Sequence, residues 1–141
     1  MRRIALLVVC AALALPASAQ NLSGRRAPSW ALPDTKMQTR DLLDYRGKWL
    51  LIEFTETKCP RCKALSKTLD QFAKKFAGKV EVVGVVLPPE NMATVGAYIT
   101  ETKIAFPILF DSSQMAITYF RATPQNPQIA TPHLFLVDPN G

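Results

Sequence analysis

The chain has 141 residues, 48% of them hydrophobic, and a formal net charge of +6. That is one domain with enough apolar content for an ordinary core, and its Lys and Arg are scattered among acids with no basic stripe interleaved with aromatics, which argues against nucleic acid as a partner. Three cysteines are too few for the disulfide framework of a small secreted scaffold.

The first element is MRRIALLVVCAALALPASAQ. Arg2 and Arg3 precede an apolar run from Ile4 to Leu15, and Ala17-Ser18-Ala19 closes it. This is the three-part pattern of a secretory signal peptide over residues 1–19. The apolar run is shorter than the ~20 residues a spanning helix needs. Cys10 follows Val9, too bulky for a lipoprotein processing site. Cleavage after Ala19 removes Arg2 and Arg3, lowering the net charge to +4, and leaves Cys59 and Cys62. The mature chain is then expected to be periplasmic or otherwise exported, where disulfides are permitted, and to touch a membrane only if the leader is kept. Residues 20–27 are polar and small, a linker ahead of a domain over 28–141.

WLLIEF (49–54) and VEVVGVVL (80–87) are near-continuous apolar runs, the pattern of strands buried on both faces. Between them Leu65, Leu69, Phe72 and Phe76 recur at helical spacing, with Lys74 and Lys75 in the last turn and Gly78 as a stop. The three together read as a βαβ unit with a parallel strand pair. A second helix is expected over 92–102, a strand at FPILF (106–110) and a short helix at SSQMAITYF (112–120). A proline-punctuated loop (123–132) then leads to a strand at HLFLV (133–137) and a DPNG turn.

The CPRC motif (59–62) falls where the first buried strand hands over to the helix. Cys59 is placed at the helix start and Pro60 at its first position, where a missing N–H costs nothing. Unpaired N–H groups, the helix dipole and the charges of Lys58, Arg61 and Lys63 favour a Cys59 thiolate. Cys62, one turn on and more sheltered, can attack a mixed disulfide formed through Cys59.

With these motifs in order, the chain resembles the exported TlpA/ResA-like thiol–disulfide oxidoreductases of the redoxin group. The likeness runs from about Ala27 to Gly141, on the lead-in APSWALPD, RGK (46–48), CPRC, FPILFD, and TP followed by FLVDPNG. It implies a thioredoxin-like α/β fold, a central mixed sheet flanked by helices, and lacking the family's last strand and helix after DPNG. It implies an enzyme that needs no cofactor, because the electrons travel in a Cys59–Cys62 disulfide. Lys58, Pro60 and Arg61 form the active-site loop. Thr131 and Pro132 fall where the family places a cis proline facing the CxxC, in the groove that receives the substrate chain. Glu53, an acid inside an apolar run, falls where thioredoxins hold a buried acid that exchanges a proton with the resolving cysteine, Cys62. The implied partners are cysteine-containing exported proteins, apocytochromes c among them, and a membrane-bound electron donor. Two departures stand out. Lys58 replaces the aromatic that often precedes the first cysteine, and Leu65 stands where ResA-like members often carry a glutamate.

Rival chemistries fit less well. A peroxiredoxin needs Thr three residues and Pro seven residues before its peroxidatic cysteine, and here those places hold Glu56 and Ile52. A copper metallochaperone could use Cys59, Cys62 and His133, a soft-metal donor set, though the copper chaperones of this fold usually show CxxxC. A structural zinc site lacks its fourth ligand. An inert interaction domain keeping CxxC as a core feature has no positive support.

Overall fold

The central strand of the protein is the expected WLLIEF run, and the rest of the chain is arranged to cover it. In the computed structural model residues 22–141 are described; the expected leader (1–19) lies outside them. A small antiparallel pair, β1 (Ala31–Pro33) and β2 (Thr39–Asp41), comes first. A single 3-10 turn, Leu42–Tyr45, follows, capped reciprocally by Asp41 and Asp44. Then come β3 (Trp49–Phe54), α1 (Pro60–Lys75), β4 (Val80–Val86), α2 (Met92–Thr102), β5 (Ile108–Phe110), α3 (Gln114–Phe120) and β6 (His133–Val137).

The main sheet has the order β5-β4-β3-β6. β3, β4 and β5 run parallel, and β6 pairs antiparallel with β3, setting Glu53 opposite Leu134 and Phe54 opposite His133. This is the mixed sheet of a thioredoxin-like α/β fold. β3 and β4 are covered on both faces along most of their length, which is why they read as unbroken apolar runs. Leu50, Ile52 and Phe54 point to one core with α3, where Phe54 meets Phe120 edge to face at 5.0 Å. Leu51 and its neighbours point to a second core with α1 and α2. By the same alternation Glu53 falls on the α1/α2 side.

Some boundaries differ from expectation for identifiable reasons. β5 is shorter than FPILF because Pro107 has no N–H to give the ladder; it only accepts from Gly84, at 2.9 Å. α1 ends with Phe76 as its C-cap, and Gly78 follows at φ +81°. The helical face of α1 is only partly covered: Leu69 is buried, whereas Phe72 and Phe76 join Trp49, Leu134 and Leu136 along an open apolar groove of about 590 Å³. Residues 22–27, expected as a tether, pack on the body. Leu22 and Ala27 lie against the core, and Arg25 donates to the carbonyls of Thr118 and Tyr119 at the end of α3, where a cation suits the helix terminus. Among the described residues no helix is long and apolar enough to cross a membrane.

Candidate active site

The local sequence builds the N-terminus of α1 around sulfur. Cys59 is the N-cap residue in extended conformation, Pro60 opens the helix, and the Cys59 sulfur accepts the backbone N–H of Cys62 at 3.2 Å. Both cysteines are free thiols, Cys59 half-buried and Cys62 buried. Lys58, Pro60 and Arg61 are exposed around them.

The two thiols are driven in opposite directions. Burial alone would raise Cys59. Hydrogen bonds from the Cys62 thiol and from the N–H groups of Cys62 and Arg61, with the Arg61 charge, outweigh it and hold Cys59 below the ordinary thiol range. Burial pushes Cys62 up, and its hydrogen bond to Cys59 adds to that. A backbone N–H from Glu56 and the Thr55 hydroxyl oppose the rise without cancelling it. Cys59 is therefore the more readily ionised of the two, and Cys62 holds its proton more tightly.

Glu53 is fully buried. Its Oε2 accepts from Ser66 Oγ at 2.6 Å, and its Oε1 has no hydrogen-bond partner. Burial raises the carboxyl to about 7, against the lowering effect of the Ser66 bond. Ser66 Oγ is also 2.6 Å from Tyr98 Oη, and Tyr98 Oη is 3.2 Å from Thr55 Oγ1. Hydroxyl groups thus stand between the acid and the CxxC. Thr55, Ser66 and Tyr98 were not singled out from the sequence. The one available signal was that Ser66 lies four residues after Cys62, on the same face of α1.

Two acids hold the loop before Cys59. Glu90 accepts from the N–H and the hydroxyl of Thr57 and from the hydroxyl of Thr94. Glu56 accepts from Thr131 Oγ1 at 2.5 Å, a tie spanning 75 positions. It links the active-site loop to the segment carrying Thr131 and Pro132, whose shared peptide bond is cis. Neither acid was foreseen as part of the site. Ile52 is buried in β3, so neither it nor Glu56 supplies what a peroxidatic site requires.

The copper donor set does not assemble. Among the described residues no three His, Cys, Asp or Glu side chains come together as a metal site. The His133 ring packs instead against Phe120 at 4.8 Å and Phe135 at 4.7 Å, and burial lowers its basicity. β6 directs His133 to the aromatic core on the α3 side, whereas the CxxC opens α1 on the other side.

Residues 23–141 match the AhpC/TSA family. The chain belongs to the AhpC/TSA family. Similar curated relatives include the thiol-disulfide oxidoreductase ResA of Bacillus subtilis, 27% identical across 84% of this chain and 63% of ResA. The thioredoxin-like protein YneN of the same organism is 28% identical across 68% of this chain and 58% of YneN. ResA of Geobacillus thermodenitrificans is 26% identical across 100% of this chain and 82% of its own length. The chain thus spans about three-fifths of the two Bacillus subtilis relatives. Among solved structures, a thioredoxin-family thiol:disulfide interchange protein from Chlorobium tepidum superposes with TM-score 0.72 at 20% identity, over 84% of this chain and 83% of that one. The thioredoxin domain of a Bacteroides vulgatus thiol-disulfide oxidoreductase gives 0.71 at 23% identity over the same shares. These likenesses establish the thioredoxin-like fold of this AhpC/TSA member.

Proposed function

We propose that the protein is an exported thiol–disulfide oxidoreductase that exchanges dithiol for disulfide with protein cysteines through Cys59 and Cys62. The observation that carries this reading is the placement of two free thiols one helical turn apart. Cys59 is half-buried at the N-cap of α1 with its sulfur accepting the Cys62 N–H, and Cys62 is fully buried behind it, which shifts their acidities in opposite directions. A stabilised thiolate attacks, and a sheltered thiol keeps its proton until a mixed disulfide exists. In the reducing direction Cys59 attacks a substrate disulfide and releases one substrate thiolate. Cys62 then attacks Cys59, closing the disulfide and releasing the second substrate sulfur. Glu53 handles the proton of Cys62, and Thr131 and Pro132 hold the substrate chain beside the CxxC. The TlpA/ResA-like pattern and the leader-like N-terminus support action outside the cytoplasm on cysteine-bearing proteins, apocytochromes c included, with a membrane-bound donor returning electrons.

The test is the reduction potential of the Cys59–Cys62 couple, read by equilibrating the protein in defined thiol–disulfide buffers. A value near about −270 mV identifies a reductant that needs an electron supply. A value near about −120 mV identifies an oxidant, and the cytochrome role is then dropped. A pair that forms no disulfide in any buffer rejects the activity.

A further inference from the structure

Between the resolving thiol and the buried acid stand three hydroxyls, hydrogen-bonded in line to the acid. Thr55 follows β3 and faces the buried Cys62 thiol, whose acidity its hydroxyl increases. That hydroxyl is 3.2 Å from Tyr98 Oη, which is 2.6 Å from Ser66 Oγ, which is 2.6 Å from Glu53 Oε2. The five residues come from β3 and the turn after it, from α1 and from α2, and each is no more than 2% exposed. A proton on Cys62 therefore has no direct contact with bulk water.

The donor and acceptor inventory fixes how this line is polarised. When Glu53 is ionised it can only accept, so Ser66 donates to it. Ser66 then accepts from Tyr98, Tyr98 from Thr55, and, once Cys59 no longer takes that proton, Thr55 from the Cys62 thiol. If each hydroxyl passes on one proton, the line reverses. Glu53 becomes a carboxylic acid donating to Ser66, and Thr55 donates to a Cys62 thiolate. Both end states use the same heavy-atom contacts, and no atom has to leave its place.

Resting on the reading that Cys59 and Cys62 exchange disulfides, we infer that Thr55, Tyr98 and Ser66 are a hydroxyl relay that carries the Cys62 proton to Glu53 when Cys62 attacks the mixed disulfide, and returns it in the reverse reaction. The step balances. Cys62 loses its proton to Glu53 and its sulfur bonds to Cys59 Sγ. The bond from Cys59 to the substrate sulfur breaks, and the substrate leaves with the electron pair as a thiolate. The timing follows from Cys59. As a thiolate it holds the Cys62 proton; once it is bonded to substrate it has no charge to hold it with, and Thr55 is the remaining acceptor. The titratable groups facing the line are Cys59 at the N-cap of α1, Cys62 on α1, Glu53 on β3 and Tyr98 on α2. Burial keeps the Tyr98 phenol neutral and hydrogen bonds from Ser66 and Thr55 oppose it. The negative charges of Glu53 and Cys62 add to the rise, consistent with a hydroxyl placed between them.

The experiment uses the full chain and 5,5'-dithiobis(2-nitrobenzoate) in stopped flow. The first release of nitrothiobenzoate reports attack by Cys59, and the second reports attack by Cys62 on the mixed disulfide. The leaving thiolate takes up no proton near neutrality, so the second phase isolates loss of the Cys62 proton. In the unaltered protein that phase should rise with pH through a midpoint near 7, where Glu53 ionises. Tyr98→Phe should slow it on the order of 100-fold and erase that midpoint. Glu53→Gln should do the same, and the double variant should be no slower than either alone. Thr55→Val should behave like Tyr98→Phe while Thr55→Ser restores the rate, which covers the case where one variant fails to fold. If Tyr98→Phe and Thr55→Val keep the rate and the midpoint while Glu53→Gln loses them, the relay is wrong and the oxidoreductase reading stands. If the unaltered protein shows no second phase, the oxidoreductase reading itself fails.

Discussion

Glu90 accepts both the backbone N–H of Thr57, at 2.9 Å, and its hydroxyl, at 2.8 Å, from 33 positions along the chain. One carboxylate at the mouth of α2 thereby fixes the loop that presents Cys59. Glu90→Ala leaves the Thr57 N–H without its acceptor, a loss of about 1–3 kcal/mol, visible as a drop of several degrees in Tm. Glu90→Gln keeps an acceptor oxygen and should recover part of it. Burial raises the Glu90 carboxyl, but hydrogen bonds from Thr94 and Thr57 and the Lys58 charge outweigh it, so the folded value lies below the ordinary one. A depressed acid contributes stability above the ordinary glutamate range and loses it as pH falls through the folded value. The gap between the native protein and Glu90→Gln should therefore close on acidification below about pH 4. Equal melts at pH 7 for all three proteins would remove Glu90 from the account of the loop.

The asymmetry of the thiols predicts two different single variants. Cys62→Ser should still react with iodoacetamide, its rate rising with a midpoint below the ordinary thiol value of about 8.5, and should trap substrate as a stable mixed disulfide. Cys59→Ser should react slowly at neutral pH, because Cys62 is buried and its thiol is raised, and should trap nothing. Non-reducing gel shifts after incubation with a disulfide-bearing protein distinguish them. Trapping by Cys59→Ser in preference to Cys62→Ser would reverse the two roles.

How far the sequence alone led depends on whether a feature is local. β3 and β4 were legible because strands buried on both faces leave continuous apolar runs. α2 matched because Asn91 caps it through the N–H groups of Ala93 and Thr94. The cysteine pair and the unequal surroundings of its two thiols follow from a helix start, which is also local. The hydroxyls beside Glu53 were not legible: Thr55, Ser66 and Tyr98 are ordinary residues until packing brings α2 against α1. Glu56 and Glu90 look like solvated loop acids until Thr131 and Thr57 come round to meet them. Phe72 and Phe76 teach the reverse lesson, since periodicity reports a helical face but not whether anything covers it.

Gly84 tests the packing that sets β5 against β4. A Cβ there would lie 2.4 Å from Ile108 Cδ1, so Gly84→Ala forces a buried side chain to move. Overpacking of this kind costs about 1–3 kcal/mol. Because Ile108 belongs to the core on the α1/α2 side, the loss should appear in urea midpoints without changing the thiol asymmetry. Pairing Gly84→Ala with Ile108→Val should restore part of the stability by making room, and failure to do so would place the strain elsewhere.

The buried carboxyl makes stability depend on pH in a direction opposite to that of most acids. In the unfolded chain Glu53 ionises near the ordinary value of about 4.3; in the folded protein it does so at about 7. Between those values the folded state holds a proton that the unfolded state has released, so raising the pH favours unfolding. The contribution of Glu53 is neutral below the lower value, falls through the window, and is flat above the upper one. A shift of this size corresponds to a few kcal/mol, on the order of 3. Glu53→Gln cannot ionise, and it still offers Ser66 an acceptor oxygen. It should therefore match the native protein at pH 4 and exceed it at pH 8, with the difference growing between, as measured by urea unfolding of the reduced protein. The same stability gap at both ends would mean that Glu53 ionises in the fold as it does in water, and the proton-handling role would lose its basis.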